Sequence, residues 1–162
     1  MGVAGSGKTT VGRLLASEIG WSFYDGDDLH PVSNIEKMES GVALTDSDRE
    51  PWLEDVRKLI IDLLRRGENG VIACSALKKS YRDRLLVDER VRFVYLKGDF
   101  RLMQERLKHR SGHFMAPELL RSQFETLEEP EDALYADVSL SPNAIVRSIR
   151  EQLRLDATQP RR

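Results

Sequence analysis

A single cysteine, Cys74, occurs among 162 residues. No disulfide can close within the chain, and a reducing compartment, the cytoplasm, is its simplest home. No apolar run approaches the roughly 20 residues needed to span a bilayer, and no signal-peptide pattern opens the sequence. An excess of one charge is also missing. The 25 basic and 27 acidic side chains leave a net charge of -2, which gives no footprint for nucleic acid or an anionic membrane. Internal repeats, low-complexity stretches and Gly/Ser linkers are absent too. What remains is a soluble balance of 40% hydrophobic and 32% charged residues. One domain is expected over residues 1–155, with a flexible tail over 156–162.

Helical and strand signals alternate, which argues for an α/β fold with a mostly parallel sheet and helices on both faces. Val11, Leu14 and Leu15 recur at helical spacing until Gly20 stops the run. The stretch "WSFYD" reads as a strand ending at Asp25, and "NIEKMES" as a short helix. Trp52, Val56, Leu59, Ile60, Leu63 and Leu64 form one apolar stripe on a long helix that closes with Arg65, Arg66 and Gly67. "VIACS", "VRFVYLKG" and "YADVSL" read as strands. Asp99 is placed to cap a helix, Pro117 to open another, and Ser141–Pro142 to start the last. Cys74 ends a strand and reads as core.

The opening "MGVAGSGKTT" contains Gly2, Gly7, Lys8 and Thr9 in the pattern G-x-x-x-x-G-K-[ST], and a helical pattern follows it. Glycines let backbone N–H groups turn inward as a nest for anions, and the helix N-terminus adds partial positive charge. Gly2, Val3, Ala4, Gly5, Ser6, Gly7, Lys8, Thr9 and Thr10 are therefore the expected nucleotide-binding run. Lys8 would reach the β- and γ-phosphates of ATP, and the Thr9 hydroxyl would ligate Mg²⁺.

A phosphate loop alone does not name the acceptor. "FYDGDDLHP" places Asp25 and Asp27 two apart, so an extended segment would point both the same way. One can order Mg²⁺ through water and the other can take or orient a hydroxyl proton. The same spacing also fits a solvated acidic turn, with Asp28 as its cap. His30, Asn34, Lys37, Asp46, Asp48, Arg49, Lys78, Lys79 and Arg82 together suggest a pocket for a small hydroxylated anion, with arginine suited to a carboxylate. "LKHRSGHFMAP" has the punctuation of a mobile lid, near residues 106–117. Arg106 and Arg110 share a helix face there, and His113 reads as a lid or substrate contact.

These stretches together resemble the gluconate kinase family of P-loop sugar-acid kinases. The resemblance rests on "MGVAGSGKTTVG", "FYDGDDLHP", "NIEKMESGVALTDSDREPWL", "CSALKKSYRDRL", "VYLKGDF", "RSGHFM" and "QFETLEEP", in family order from Met1 to about Pro130. It implies transfer of the ATP γ-phosphoryl group to the 6-hydroxyl of D-gluconate, with Mg²⁺ and a homodimer. It also implies a P-loop NTPase fold with a parallel five-stranded sheet of order 2-3-1-4-5, similar to that of shikimate kinases. "FYDGD" looks like the "FYDSD" of shikimate kinases, in which the first aspartate is linked to the metal and the second to the substrate hydroxyl. By that likeness Asp25 joins Thr9 at the metal, and Lys8, Asp27 and Arg110 are catalytic. Arg49 or Arg82 would meet the carboxylate, beside His30, Lys37, Lys78 and His113. Arg106, Arg110 and Pro142 would lie at the nucleotide.

The chain departs from the family at its start. Only Met1 to Val3 stand where family members carry a whole first strand, so that strand is expected to be truncated, with Met1 an internal methionine of a longer product. The alternatives are a kinase of another small hydroxy acid such as shikimate, or a nucleotide-binding homologue without catalysis. "DREPWL" argues against shikimate.

Overall fold

A computed structural model describes residues 1–109 and 117–155. Arg110, His113, the centre of the expected lid and the tail over 156–162 lie outside the described residues. Among those described, four strands form where five were expected: β1 (Ser22–Asp25), β2 (Gly70–Ala73), β3 (Val94–Lys97) and β4 (Leu134–Asp137). They make two parallel pairs, β1 with β2 and β3 with β4. Met1 to Val3 lie between the pairs. The Met1 amine donates to the Val94 carbonyl and the Leu96 N–H donates to Met1 O at 2.9 Å. On the other side the Gly2 N–H donates to Ser75 O, just past β2, at 3.2 Å. Three residues make these contacts but do not extend into a ladder that would join the two pairs.

Seven helices accompany the strands among the described residues: α1 (Lys8–Ile19), α2 (Val32–Glu39), α3 (Asp46–Arg66), α4 (Lys79–Leu85), α5 (Phe100–Lys108), α6 (Pro117–Thr126) and α7 (Pro142–Leu153). Strand residues alternate between two cores, as a period of two requires. Val71 packs with Val11, Leu15, Ile145 and Ile149 of α1 and α7, whereas Ile72 packs with Trp52, Val56 and Leu85 of α3 and α4. Both faces of the sheet are thus covered, which parallel strands need.

The punctuation read from sequence works as expected at most ends. Thr45 and Asp48 form a reciprocal capping box at the start of α3, and Gly67 closes it in the left-handed region at φ 65°. Asp99 and Ser141 cap α5 and α7. The turn after β1 differs. The chain leaves the strand at Asp25 and winds one 3-10 turn over Gly26–Leu29, and its cap is Asp25 rather than Asp28. Asp25 and Asp27 therefore do not share an extended segment, because the strand ends between them.

Gly26 sits where this turn passes β2. A Cβ there would lie 2.6 Å from the Ala73 carbonyl oxygen, which belongs to paired backbone and cannot move aside. The Gly26 carbonyl also accepts the buried Trp52 Nε1–H at 2.7 Å. Gly26→Ala is expected to destabilise the fold by about 1–3 kcal/mol through overpacking. A urea titration reads this as a lowered midpoint, and an unchanged midpoint would contradict the close approach.

Candidate active site

The end of β1 meets the start of α1 through Asp25 and Thr9, and the segment past β2 meets Gly2 through Ser75. Gly2, Gly5 and Gly7 have positive φ of 144°, 78° and 90°, a conformation that side chains disfavour. At Gly5 a Cβ would also meet the Met103 carbonyl oxygen at 3.0 Å, so α5 leans against the loop. Gly7 precedes α1 without any side-chain cap, and the first turn carries no acidic residue. No side chain caps the first N–H groups of α1, which a helix cannot pair within itself. Inside the loop the Ser6 hydroxyl is buried and has no hydrogen-bond partner among the described residues. A cradle with uncapped donors and an orphaned hydroxyl fits phosphate. The Lys8 ammonium rests on Val3 O at 3.1 Å.

The end of β1 meets this loop through a hydrogen bond. The Thr9 hydroxyl donates to Asp25 Oδ2 at 2.9 Å, while Asp25 Oδ1 accepts the Asp27 N–H at 3.2 Å. Asp25 is half-buried and Asp27 is exposed. Among the described residues no cluster of three or more His, Cys, Asp or Glu could hold a metal unaided. Thr9 and Asp25 are instead two hard oxygen donors side by side. That pair suits Mg²⁺, which keeps several waters and shares phosphate oxygens rather than filling an all-protein cage.

Beyond Asp27 the His30 ring stacks on Trp52, with centroids 4.5 Å apart and planes at 9°. Burial lowers the His30 pKa below its ordinary 6.5, Asp27 opposes the shift, and Arg49 adds to it. Asn34 is buried between the ring and α3. Its Nδ2 donates to Asp48 O at 2.7 Å and lies 3.3 Å from His30 Nδ1.

Several of the expected cations already hold acidic partners. Lys37 donates to Asp48 at 2.7 Å. That bond, with those from Thr45, holds the Asp48 carboxyl down at about 2. Lys78 grips both oxygens of Asp46 at 2.8 and 2.7 Å, and the Tyr81 hydroxyl donates to the same carboxylate. The bond from Lys78, then that from Tyr81, lowers the Asp46 pKa. Arg49 donates to Leu44 O at 2.6 Å, lies 4.0 Å from Asp46 and passes over the Tyr81 ring. Arg82 is different: it is 7% exposed, and its Nη1 donates to Ala76 O and Leu77 O at 3.1 and 2.9 Å. These bonds hold the loop after β2, including Ala76 at a positive φ of 43°.

On the far side of the phosphate loop, Arg106 donates to Val138 O, just before the exposed Ser141–Pro142 start of α7. The geometry thus gathers the phosphate loop, Asp25 and Asp27 on one edge, with His30, Lys37, Arg49 and Lys78 beside them. Tyr81 and Trp52 belong to this group and were read only as parts of helices. Tyr81 is three residues from Lys78, a spacing that could have flagged it. A buried tryptophan N–H needs an acceptor, but sequence could not say that Gly26 supplies it.

Comparison with known proteins finds relatives along nearly the whole chain. The Shikimate kinase family matches over residues 4–154. The thermosensitive gluconokinase of Escherichia coli (strain K12) is 44% identical over 155 residues, covering 95% of this chain and 83% of that protein. A gluconokinase structure from Sinorhizobium meliloti 1021 superposes with a TM-score of 0.83 at 41% identity, covering 98% of this chain and 95% of the other. An unliganded sugar kinase from Janibacter sp. HTCC2649 reaches a TM-score of 0.90 at 37% identity, over 98% of this chain and 96% of its own. With a glycine loop at the head of α1 and kinship at 44% identity along nearly its whole length, the chain belongs to the gluconate kinase family of P-loop sugar-acid kinases, within the wider shikimate kinase family.

Proposed function

We propose that this chain transfers the γ-phosphoryl group of ATP to the 6-hydroxyl of D-gluconate, giving 6-phospho-D-gluconate and ADP. One observation carries the reading beyond kinship. The Thr9–Asp25 hydrogen bond joins the phosphate loop to the end of β1, two residues before Asp27, which supports donor and acceptor groups on one edge. The backbone from Gly2 to Thr10 and the Lys8 ammonium hold the triphosphate, and Arg106 and Pro142 flank the adenine. Asp27 orients the 6-hydroxyl and takes its proton as that oxygen attacks the γ-phosphorus. The bond from phosphorus to the β–γ bridging oxygen breaks, and ADP leaves with that electron pair. Mg²⁺, which Thr9 and Asp25 would hold, supplies charge neutralisation on the phosphates.

Arg49 and Lys78 receive the gluconate carboxylate, since their planar fork and point charge suit it, and Asp46 holds them until it arrives. Arg82 acts behind them by fixing the loop after β2. His30 and Lys37 meet the hydroxyls. Arg110 and His113, from the lid over 106–117, exclude water and offset charge on the moving phosphoryl group. The reading extends to a single domain over 1–155, a homodimer and the cytoplasm, where a lone buried cysteine is at home.

ADP release with Mg-ATP is expected to depend on D-gluconate and to stay at background with shikimate or AMP. Turnover with shikimate but not gluconate would overturn the assignment. Asp27→Asn should lower kcat by about 10²–10⁴-fold, the usual worth of a positioned general base, with little change in the KM for ATP. Steady-state kinetics with each substrate varied in turn decide this.

His30 gives a pH signature. Its folded pKa lies below its unfolded 6.5, so in that window the unfolded chain binds more protons. Stability is then fully present above 6.5 and falls as pH drops toward the depressed value. Urea midpoints measured down from pH 7 should show this fall, and His30→Gln should flatten it. An NMR titration giving His30 an ordinary pKa would contradict the stacked, desolvated ring.

A further inference from the structure

α6 contains a side chain that reaches back across the sequence to the phosphate loop. Gln123 Oε1 accepts the backbone N–H of Ala4 at 2.7 Å, across 119 residues of sequence. The other end of that peptide unit is the Val3 carbonyl, which accepts from the Lys8 ammonium at 3.1 Å and from the Ser6 N–H at 3.3 Å. One peptide plane is therefore gripped from both ends. Gln123 holds its N–H, and Lys8 and Ser6 hold its C=O. A rotation of this plane would carry Val3 O away from Lys8 and turn the Ala4 N–H toward the cradle.

The support behind Gln123 is firm. Leu119 and Leu120 of α6 are buried, and Phe124 meets Phe100 edge-on at 5.5 Å. Just after α6, the Glu128 N–H donates to Leu77 O at 2.9 Å, and its carboxylate accepts the Lys79 N–H at the start of α4. The segment from Gln123 to Glu128 thus touches the phosphate loop at one end and the acceptor-side loop after β2 at the other.

We propose that Gln123 is a positioning residue for phosphoryl transfer: it fixes the Val3–Ala4 peptide plane, and through Val3 O it fixes where Lys8 stands. It touches no reacting atom in this assignment, which rests on the phosphate-loop part of the proposed function. Removing the acceptor leaves a partly buried N–H unpaired and lets the plane turn.

The test compares Gln123→Ala with Gln123→Glu, whose carboxylate keeps an acceptor for the Ala4 N–H. In Gln123→Ala, kcat/KM for ATP should fall about 10–100-fold, the range expected when one buried hydrogen bond is lost, while the KM for gluconate stays within about twofold. Hydrogen exchange at the Ala4 amide should accelerate at least about tenfold in Gln123→Ala, and Gln123→Glu should restore its protection. Unchanged Ala4 exchange, or faster exchange with unchanged ATP kinetics, would overturn the proposal. So would losses in ATP and gluconate kinetics that are equal and track a lowered melting temperature, because that pattern marks a merely structural residue. Calorimetric titration of ADP into each variant is independent of the acceptor. If wild-type chain binds ADP but ignores gluconate, the acceptor assignment fails while affinity and Ala4 exchange still decide the role of Gln123.

Discussion

A helix leaves its first N–H groups without partners inside itself, and this molecule puts that deficit beside the end of β1. α1 begins after Gly7 with no capping side chain and no acidic residue in its first turn. α3, α5 and α7 carry side-chain caps from Thr45, Asp99 and Ser141, while α2 and α4 also begin without one. What sets α1 apart is the loop before it, with Gly2, Gly5 and Gly7 at positive φ. A side-chain cap on α1 would compete with an anion for its first donors. A loop without such a cap must be held by other means. Val3 is buried in the larger core, the Gly2 N–H is bound to Ser75, and Gly5 is pressed against Met103. The rigidity of the loop is therefore borrowed from β2, β3 and α5.

The basic residues beyond β1 meet the opposite electrostatic problem, because cations crowded together repel. Here Asp46 and Asp48 sit in the first turn of α3, where the dipole favours them, and hold Lys78 and Lys37. Both pairs have exposed members, so each contributes little to stability and exchanges readily. Arg82, by contrast, is desolvated and bound to two carbonyls, and a buried guanidinium with such partners does not exchange them cheaply. Residues of one charge in one region thus divide into exchangeable surface pairs and a fixed, buried brace.

Much of this was legible in the sequence because it depends on local spacing. The glycine-lysine pattern, the stripe from Trp52 to Leu64 and the stop at Gly67 each depend on one stretch of chain and were found where expected. Parallel pairing followed from the alternation of strands and helices. The turn after β1 was not legible, because Asp25, Asp27 and Asp28 are equivalent in spacing until the register of β1 against β2 ends the strand at Asp25. Nor was the division between Arg49 and Arg82, since charge says nothing of burial. The roles of Tyr81 and Gln123 depend on partners 35 and 119 residues away, and no periodicity encodes such distances.

The loop after β2 shows how these levels depend on one another. Ala76 takes a positive φ that a residue with a side chain disfavours, and strain of this kind persists only where the surroundings over-determine it. The surroundings here are specific. Ala76 is fully buried, Arg82 holds its carbonyl and that of Leu77, Glu128 holds Leu77 from the other side, and Ser75 accepts from Gly2. The chain bends sharply at the one point where phosphate loop, α4 and the segment after α6 all meet. Relaxing that bend would shift Lys78 relative to Gly2, and with it the pair that Lys78 makes with Asp46. The spacing between α4 and the glycine loop is therefore set less by the sheet itself than by the hydrogen bonds that lock this short, strained loop against it.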